Sequence, residues 1–330
     1  MVSPAWSACL NSSVTDPFAD LAEKVHGVEG VLREIANLDP KSQIRLLFVR
    51  FREDEPQVAN FVELLADQLT NYVIPLRKRR AAYQAGISSP SGGDAARIAG
   101  LVREARRLLV AYDKEHPGRY GEIGELIAYV VAQHFLRAPQ LCSKIALKTN
   151  AAMLVHGVDG LHARMEPDGT VSFFLLESKV VPDPAAASRE FFGSVKKYRE
   201  DRAAQLNELR LVLDLSNLDA LEGEARDRAK AYFNEYADGA DVLNRRAIHV
   251  GSLVFNEDAY TKKLPRDLSA PISIHEANFE SLYREKHTGF ARNRDKHAAS
   301  AGVDPNGCIA FMIAVPDVAS LKALFSEVYK

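Results

Sequence analysis

The sequence predicts an α/β fold, a mixed central β-sheet flanked by helices, with a helical elaboration on its N-terminal side. Two observations carry this expectation. Residues 173–181, Phe-Phe-Leu-Leu-Glu-Ser-Lys-Val-Val, form the continuous aromatic and aliphatic run of a strand buried on both faces. A second apolar stretch precedes it, across Glu166-Pro167-Asp168-Gly169-Thr170. That segment suits a three-residue turn, with Pro at the first position, Asp at the second and Gly in the left-handed conformation. The two strands are therefore expected as an antiparallel hairpin within the sheet.

The other elements follow in order. Residues 17–37 read as an amphipathic helix, and 43–52 alternate as a strand through Ile44, Leu46, Phe48 and Phe51. Residues 56–83 carry a long helical stripe (Val58, Phe61, Leu64, Leu65, Leu69), bent at Pro75. The Gly- and Ser-rich segment 86–93 reads as an exposed loop. Helices are expected over 95–114 and over 121–135, the latter strongly apolar with acids only in its first turns. Strands follow at 142–150, 151–164 and 173–181, a helix at 184–209, a short strand at 211–215 and a helix at 219–236. Buried strands at 247–255 and 308–315 and a terminal helix at 317–329 complete the chain. No internal repeat is visible. The expected division is 1–115, helices plus one strand packed on or joining the core, and 116–330, the core itself.

The hairpin places charge where the pattern is otherwise apolar. Glu177 and Lys179 point to the same side of their strand. With Glu166 facing Thr170, Asp159 lies opposite Glu177, and Gly157 lies opposite Lys179, leaving room there. Burying an isolated charge costs several kcal/mol, so the group needs a partner, a metal or a task. Two carboxylates on neighbouring strands make a hard oxygen site of the kind Mg²⁺ or Mn²⁺ prefers. A lysine beside it can orient or help deprotonate a water, or offset charge on a phosphoryl group. The competing view is a structural Asp–Glu–Lys salt-bridge network in a non-catalytic interaction subunit.

Composition narrows the class. The 330 residues are 47% hydrophobic, with a net charge of −2 from 42 basic and 44 acidic side chains. That is ordinary for a globular chain. No apolar run reaches the ~20 residues of a membrane span, and residues 1–16 lack the pattern of a signal peptide. Cys9, Cys142 and Cys308 are isolated and without metal spacing, which fits a reducing cytoplasm. Basic clusters stand at 77–80, 196–199, 245–246 and 284–296. The first reads as a helix C-terminus beside its dipole. The second (Lys196, Lys197, Arg199) follows the Glu177 strand and is the candidate nucleic-acid contact, with Tyr198 among it either packing or touching DNA. His156 and His162 fall on the strand face opposite Asp159. A histidine metal site would need His275, His287 or His297 to join them, so core or hydrogen-bonding histidines are expected. No phosphate loop, dinucleotide fingerprint or Gly-x-Ser-x-Gly motif is present.

An acid-bearing helix, an Asp strand, a Glu-x-Lys strand and then a basic helix: this order resembles the core of the PD-(D/E)xK nuclease superfamily, the restriction-endonuclease-like fold. Asp159 stands at the motif's Asp and Glu177-Ser178-Lys179 at its (D/E)xK, while Val158 replaces the Pro before the Asp. The longer string, 121–125, 156–162 and 176–179, resembles the HamA effector nucleases of the Hachiman anti-phage system, over roughly residues 40–330. The resemblance implies catalytic Asp159, Glu177 and Lys179, with an added acid from the preceding helix. Glu122 and Glu125 lie three apart on one face of that helix, and Glu125, the deeper, is favoured. The implied metal ligands are Asp159, Glu177, the Ser178 carbonyl and Glu125, around Mg²⁺ or Mn²⁺. The implied function is a metal-dependent DNase whose partners are DNA and the HamB-type helicase subunit of the same system.

Overall fold

A computed structural model describes residues 16–88, 95–115, 121–143, 158–203, 205–206, 212–213, 216–234, 244–265, 271 and 273–329. The strands are β1 Leu32–Glu34, β2 Ile44–Val49, β3 Phe51–Arg52, β4 Glu55–Pro56, β5 Gln140–Ser143, β6 Gly160–Met165, β7 Val171–Val180, β8 Arg245–Asn256 and β9 Cys308–Val315. The helices are α1 Val28–Val31, α2 Val58–Val73, α3 Leu76–Ser88, α4 Ala95–Glu115, α5 Gly121–Phe135, α6 Pro184–Glu200, α7 Gly223–Ala231, α8 Ile274–Glu285, α9 His287–Ala301 and α10 Val318–Tyr329.

Seven strands form one mixed sheet in the order β1-β2-β9-β8-β7-β6-β5. The central strands β2, β9, β8 and β7 run parallel, and the outer β1, β6 and β5 are antiparallel to their neighbours. Parallel strands need cover on both faces, and both faces are covered here. A Cβ on Gly124 of α5 would stand 2.8 Å from Ser178 Oγ and 2.9 Å from Val180 Cγ2, so α5 lies directly on the even-numbered face of β7. A Cβ on Gly251 of β8 would stand 3.1 Å from the Phe191 ring of α6, so α6 covers the other face, where Glu177 is the partner of Gly251. The α5 layer is extended by α2 and α10, and the α6 layer by α9. The mixed α/β expectation is met, and the N-terminal β1 and β2 are part of the same sheet.

Several local expectations changed. The apolar spacing of Val25, Val28, Val31, Leu32 and Ile35 imitates a helix, yet only Val28–Val31 is helical. Gly27 at φ 81° breaks the pattern, and Leu32–Glu34 pairs with β2 instead. The stripe over 56–83 divides at Pro75, because the residue before a proline is pushed out of the helical region and Ile74 is extended. Arg77–Arg80 consequently sit in the first turn of α3, at the opposite end of a helix from the one expected. Three of the four charges have partners: Lys78 pairs with Glu104 and Arg80 donates to the Ala220 carbonyl. Arg79, 2% exposed, pairs with Glu23 and donates to the Ile74 carbonyl at 2.9 Å. Helix α6 stops at Glu200, short of the expected 209, and the segment expected as a strand at 211–215 lies mostly outside the described residues. The expected loop is also mostly outside them, though residues 86–88 end α3.

Candidate active site

The hairpin is built as its turn dictates. Glu166 N–H donates to Thr170 O (2.8 Å), Gly169 N–H donates to Glu166 O (2.9 Å), and Gly169 takes φ 81°. Asp168 accepts from Thr170 N–H at 2.9 Å. The register then runs from Met165↔Val171 to Gly160↔Leu176, and on β7 it sends Glu177 and Lys179 to the α6 face.

Lys179 Nζ donates to Glu177 Oε1 at 2.7 Å, and both side chains keep a window to solvent (20% and 16% exposed). Burial pushes the Glu177 carboxyl above the usual range, and the Asp159 charge pushes it further; Lys179 and a hydrogen bond with Ser194 of α6 pull it back. Asp159 and Glu177 are therefore close enough to repel. Asp159 itself precedes the first residue of β6. Its N–H donates to Leu176 O at 2.8 Å, and its Oδ2 accepts from both Ser178 N–H (2.8 Å) and Ser178 Oγ–H (2.9 Å). The Asp159 carboxylate thus curls round the end of the strand toward the α5 side while still facing Glu177 electrostatically. Gly157 and His156, the residues just before it, lie outside the described residues.

On the α5 side, Gly124 rests on Ser178, and Glu122 and Glu125 flank it, both buried (3% and 5% exposed). Tyr72 of α2 donates to Glu125 Oε2 at 2.7 Å. Among the described residues, no three His, Cys, Asp or Glu side chains are gathered to hold a metal, so neither helix acid joins Asp159 and Glu177 in such a group. Asp159 and Glu177 remain a pair of hard oxygen donors in mutual repulsion. That chemistry fits Mg²⁺, which takes one or two carboxylates and completes its shell with water and phosphate oxygens.

The basic helix is where the sequence put it. Lys196, Lys197 and Arg199 lie at the C-terminal end of α6 and are exposed, with Lys196 4.0 Å from Glu200. Ser194, one turn earlier, is the α6 contact to Glu177, and sequence reasoning missed it; no spacing rule reports which helix residue will face a strand acid. Gly124 and Tyr72 were missed for the same reason, and the Ser178 hydroxyl because Asp159 lies just outside β6, where strand parity no longer says which way its carboxylate turns. Among the described residues the histidines do not form a site. His162 is fully buried with Nδ1 2.7 Å from Ala138 O, while His287 meets Ser42 at 3.0 Å on another part of the fold.

Neither the curated proteins nor the solved structures gave a match. A family model did: that of HamA, over residues 28–328, nearly the whole chain. The match spans the hairpin, α5, α6 and the full sheet, and so includes every candidate site residue. The chain belongs to the HamA family and is a component of Hachiman defence.

Proposed function

We propose that this protein is a metal-dependent nuclease, the effector of its defence system, cutting DNA under the control of a helicase partner. The observation that supports this most is the Lys179–Glu177 pair, part-exposed and beside Asp159 at the end of a central strand. Asp159 and Glu177 would hold Mg²⁺ or Mn²⁺, with the Ser178 carbonyl as a further donor and Glu125 or Glu122, which do not join that pair directly, as outer ligands through water. The ion would polarise the phosphoryl oxygen and ease loss of a proton from water. Ser178 fixes the Asp159 carboxylate through two hydrogen bonds, and Ser194 fixes that of Glu177. Lys179, free to leave Glu177 when a cation neutralises that carboxylate, would position the attacking water and offset charge on the phosphate. Lys196, Lys197 and Arg199 would contact neighbouring phosphates.

Net charge near zero gives this chain alone little affinity for DNA, because phosphate neutralisation supplies most non-specific binding. A helicase partner would deliver the substrate. No helix of the described residues is long and apolar enough to cross a membrane.

One observation favours a second reading. Lys179 bonds Glu177 directly, as a structural salt bridge in a non-catalytic subunit would. The separating experiment is plasmid degradation in Mg²⁺ by purified protein, alone and with its helicase partner, for the native chain and Glu177→Ala. Cleavage lost in Glu177→Ala with the fold retained is the expected result. Absence of cleavage by the native complex leaves the structural reading.

A further inference from the structure

A cavity of about 440 Å³ opens on the α6 face of the sheet, beside the candidate active site. Phe173 and Leu175, the two residues that precede Glu177 on that face of β7, are in its lining. At about 3.3 Å per residue, Leu175 lies only ~7 Å from Glu177 along the strand. Helix α6 spans both places: Ser194 bonds Glu177, and Tyr198 and Arg199, a turn further on, reach the cavity. Four rings stand in its walls among aliphatic side chains such as Leu161 and Leu175. Phe173 meets Phe233 with centroids 4.7 Å apart, and Tyr198 meets His249 edge-on at 5.8 Å. The lining also carries two exposed charged residues, Arg199 and Asp304.

We propose that this cavity receives the base of an unpaired nucleotide next to the scissile phosphate. The proposal rests on the nuclease reading of Glu177 and Lys179 and adds a substrate class to it, single-stranded or locally opened nucleic acid. An aromatic ring in the wall suits the π-face of any base. Arg199 can stack on the base or hold the adjoining phosphate, and Asp304 can accept from an exocyclic amino group. An acid in the lining repels phosphate, so the part of the nucleotide that enters is the base. His249 agrees with this, since burial and the Arg199 charge push its pKa down to about 4 and leave a neutral imidazole. A base stacked within a duplex cannot reach such a cavity without leaving the helix.

The test uses the full-length protein without divalent metal, so that nothing is cut. The probe is a short single-stranded oligodeoxynucleotide carrying the fluorescent adenine analogue 2-aminopurine. Stacking in the cavity should change its emission for the native protein and equally for Glu177→Gln. Replacing the reporter base by an abasic site should weaken binding about tenfold, the size of one base–aromatic stack. Ala247 is exposed at the cavity lining, so Ala247→Trp fills the space without entering the core. It should abolish the emission change while melting like the native protein, and Arg199→Ala serves the same purpose should Ala247→Trp not fold. An emission change that survives Ala247→Trp and Arg199→Ala, or an abasic probe bound as tightly as the intact one, overturns the proposal. The two readings separate cleanly. Stacking without Mg²⁺-dependent cleavage removes the nuclease and keeps the pocket, whereas cleavage indifferent to the abasic site and to Ala247→Trp removes the pocket and keeps the nuclease.

Discussion

Gly124→Ala sets two ordinary effects against each other at the point where α5 meets the candidate site. Replacing an interior helical Gly by Ala normally stabilises by ~1 kcal/mol, because Gly gives up more backbone freedom on folding. Here the new methyl would stand 2.8 Å from Ser178 Oγ, 2.9 Å from Val180 Cγ2 and 3.1 Å from Ser178 Cβ. Neither neighbour yields readily. Ser178 Oγ is tied to Asp159 at 2.9 Å, and Val180 is β-branched and stiff at χ1. The strain therefore falls on the seating of α5 against β7, and overpacking of this kind costs ~1–3 kcal/mol. The net expectation is a loss of up to ~2 kcal/mol, or a fall of up to about 3 °C in Tm. Any movement of Ser178 also loosens the Asp159 carboxylate, so DNA cleavage should drop further than the melting shift alone would cause. Gly193→Ala is the matched control: it lies within α6, is exposed, and a Cβ there meets nothing within 4 Å, so Tm should rise. Should Gly124→Ala melt at or above the native temperature and cut at the native rate, the close approach of α5 to Ser178 has no energetic weight, and the reasoning fails.

Lys179→Ala, measured by cleavage and melting together, should lower the rate at least ~100-fold if the lysine stabilises the developing charge; near-native cleavage by a folded variant removes it from the mechanism. Asp159→Asn should weaken Mg²⁺ binding by calorimetry, because a hard cation loses one of its two carboxylates; unchanged binding counts against the site. Arg79→Leu should cost roughly 3 kcal/mol in urea denaturation, since it leaves the Glu23 carboxylate without its buried guanidinium. His162 is fully buried with its pKa pushed down from 6.5 to about 4, chiefly by burial. The unfolded chain therefore binds the extra proton between pH 4 and 6.5, so the stability contributed by the neutral ring is intact above 6.5 and falls by up to ~3 kcal/mol as pH drops toward 4. His162→Asn should flatten that slope.

The hairpin was legible because its determinants are local. A Pro-Asp-Gly turn fixes loop length, loop length fixes register, and register fixes which residues share a face. The same holds for β9, whose apolar run ends at Val315 because Pro316 cannot donate to the ladder. The N-terminal region was not legible, because the spacing of Val28, Val31, Leu32 and Ile35 satisfies a helix in sequence while the chain buries the same residues by turning at Gly27 and pairing with β2. Tertiary pairing outweighed periodicity there, and a single sequence reports periodicity alone. The basic run at 77–80 failed differently: its helix was right, but Pro75 moved the run from the end of one helix to the start of the next.

The candidate site divides along the same line. Asp159, Glu177 and Lys179 come together through a register that one turn determines, so the sequence contains them. Part of what steadies them comes from outside that hairpin. Ser194 is separated from Glu177 by the turn into α6, Tyr72 is 53 residues from Glu125, and Gly124 reaches Ser178 only because two layers pack closely. Such contacts depend on which helix covers which face, and strand parity is silent on that. Parity also assumes a regular strand, and Asp159 sits one residue outside β6, where its carboxylate turns to Ser178. The pair is thus held from both sides of the sheet at once, Asp159 through Ser178 under α5 and Glu177 through Ser194 on α6. A shift of either helix against β7 would change the distance between the two carboxylates. The activity proposed here therefore depends on the seating of α5 and α6 as much as on the three residues of the motif.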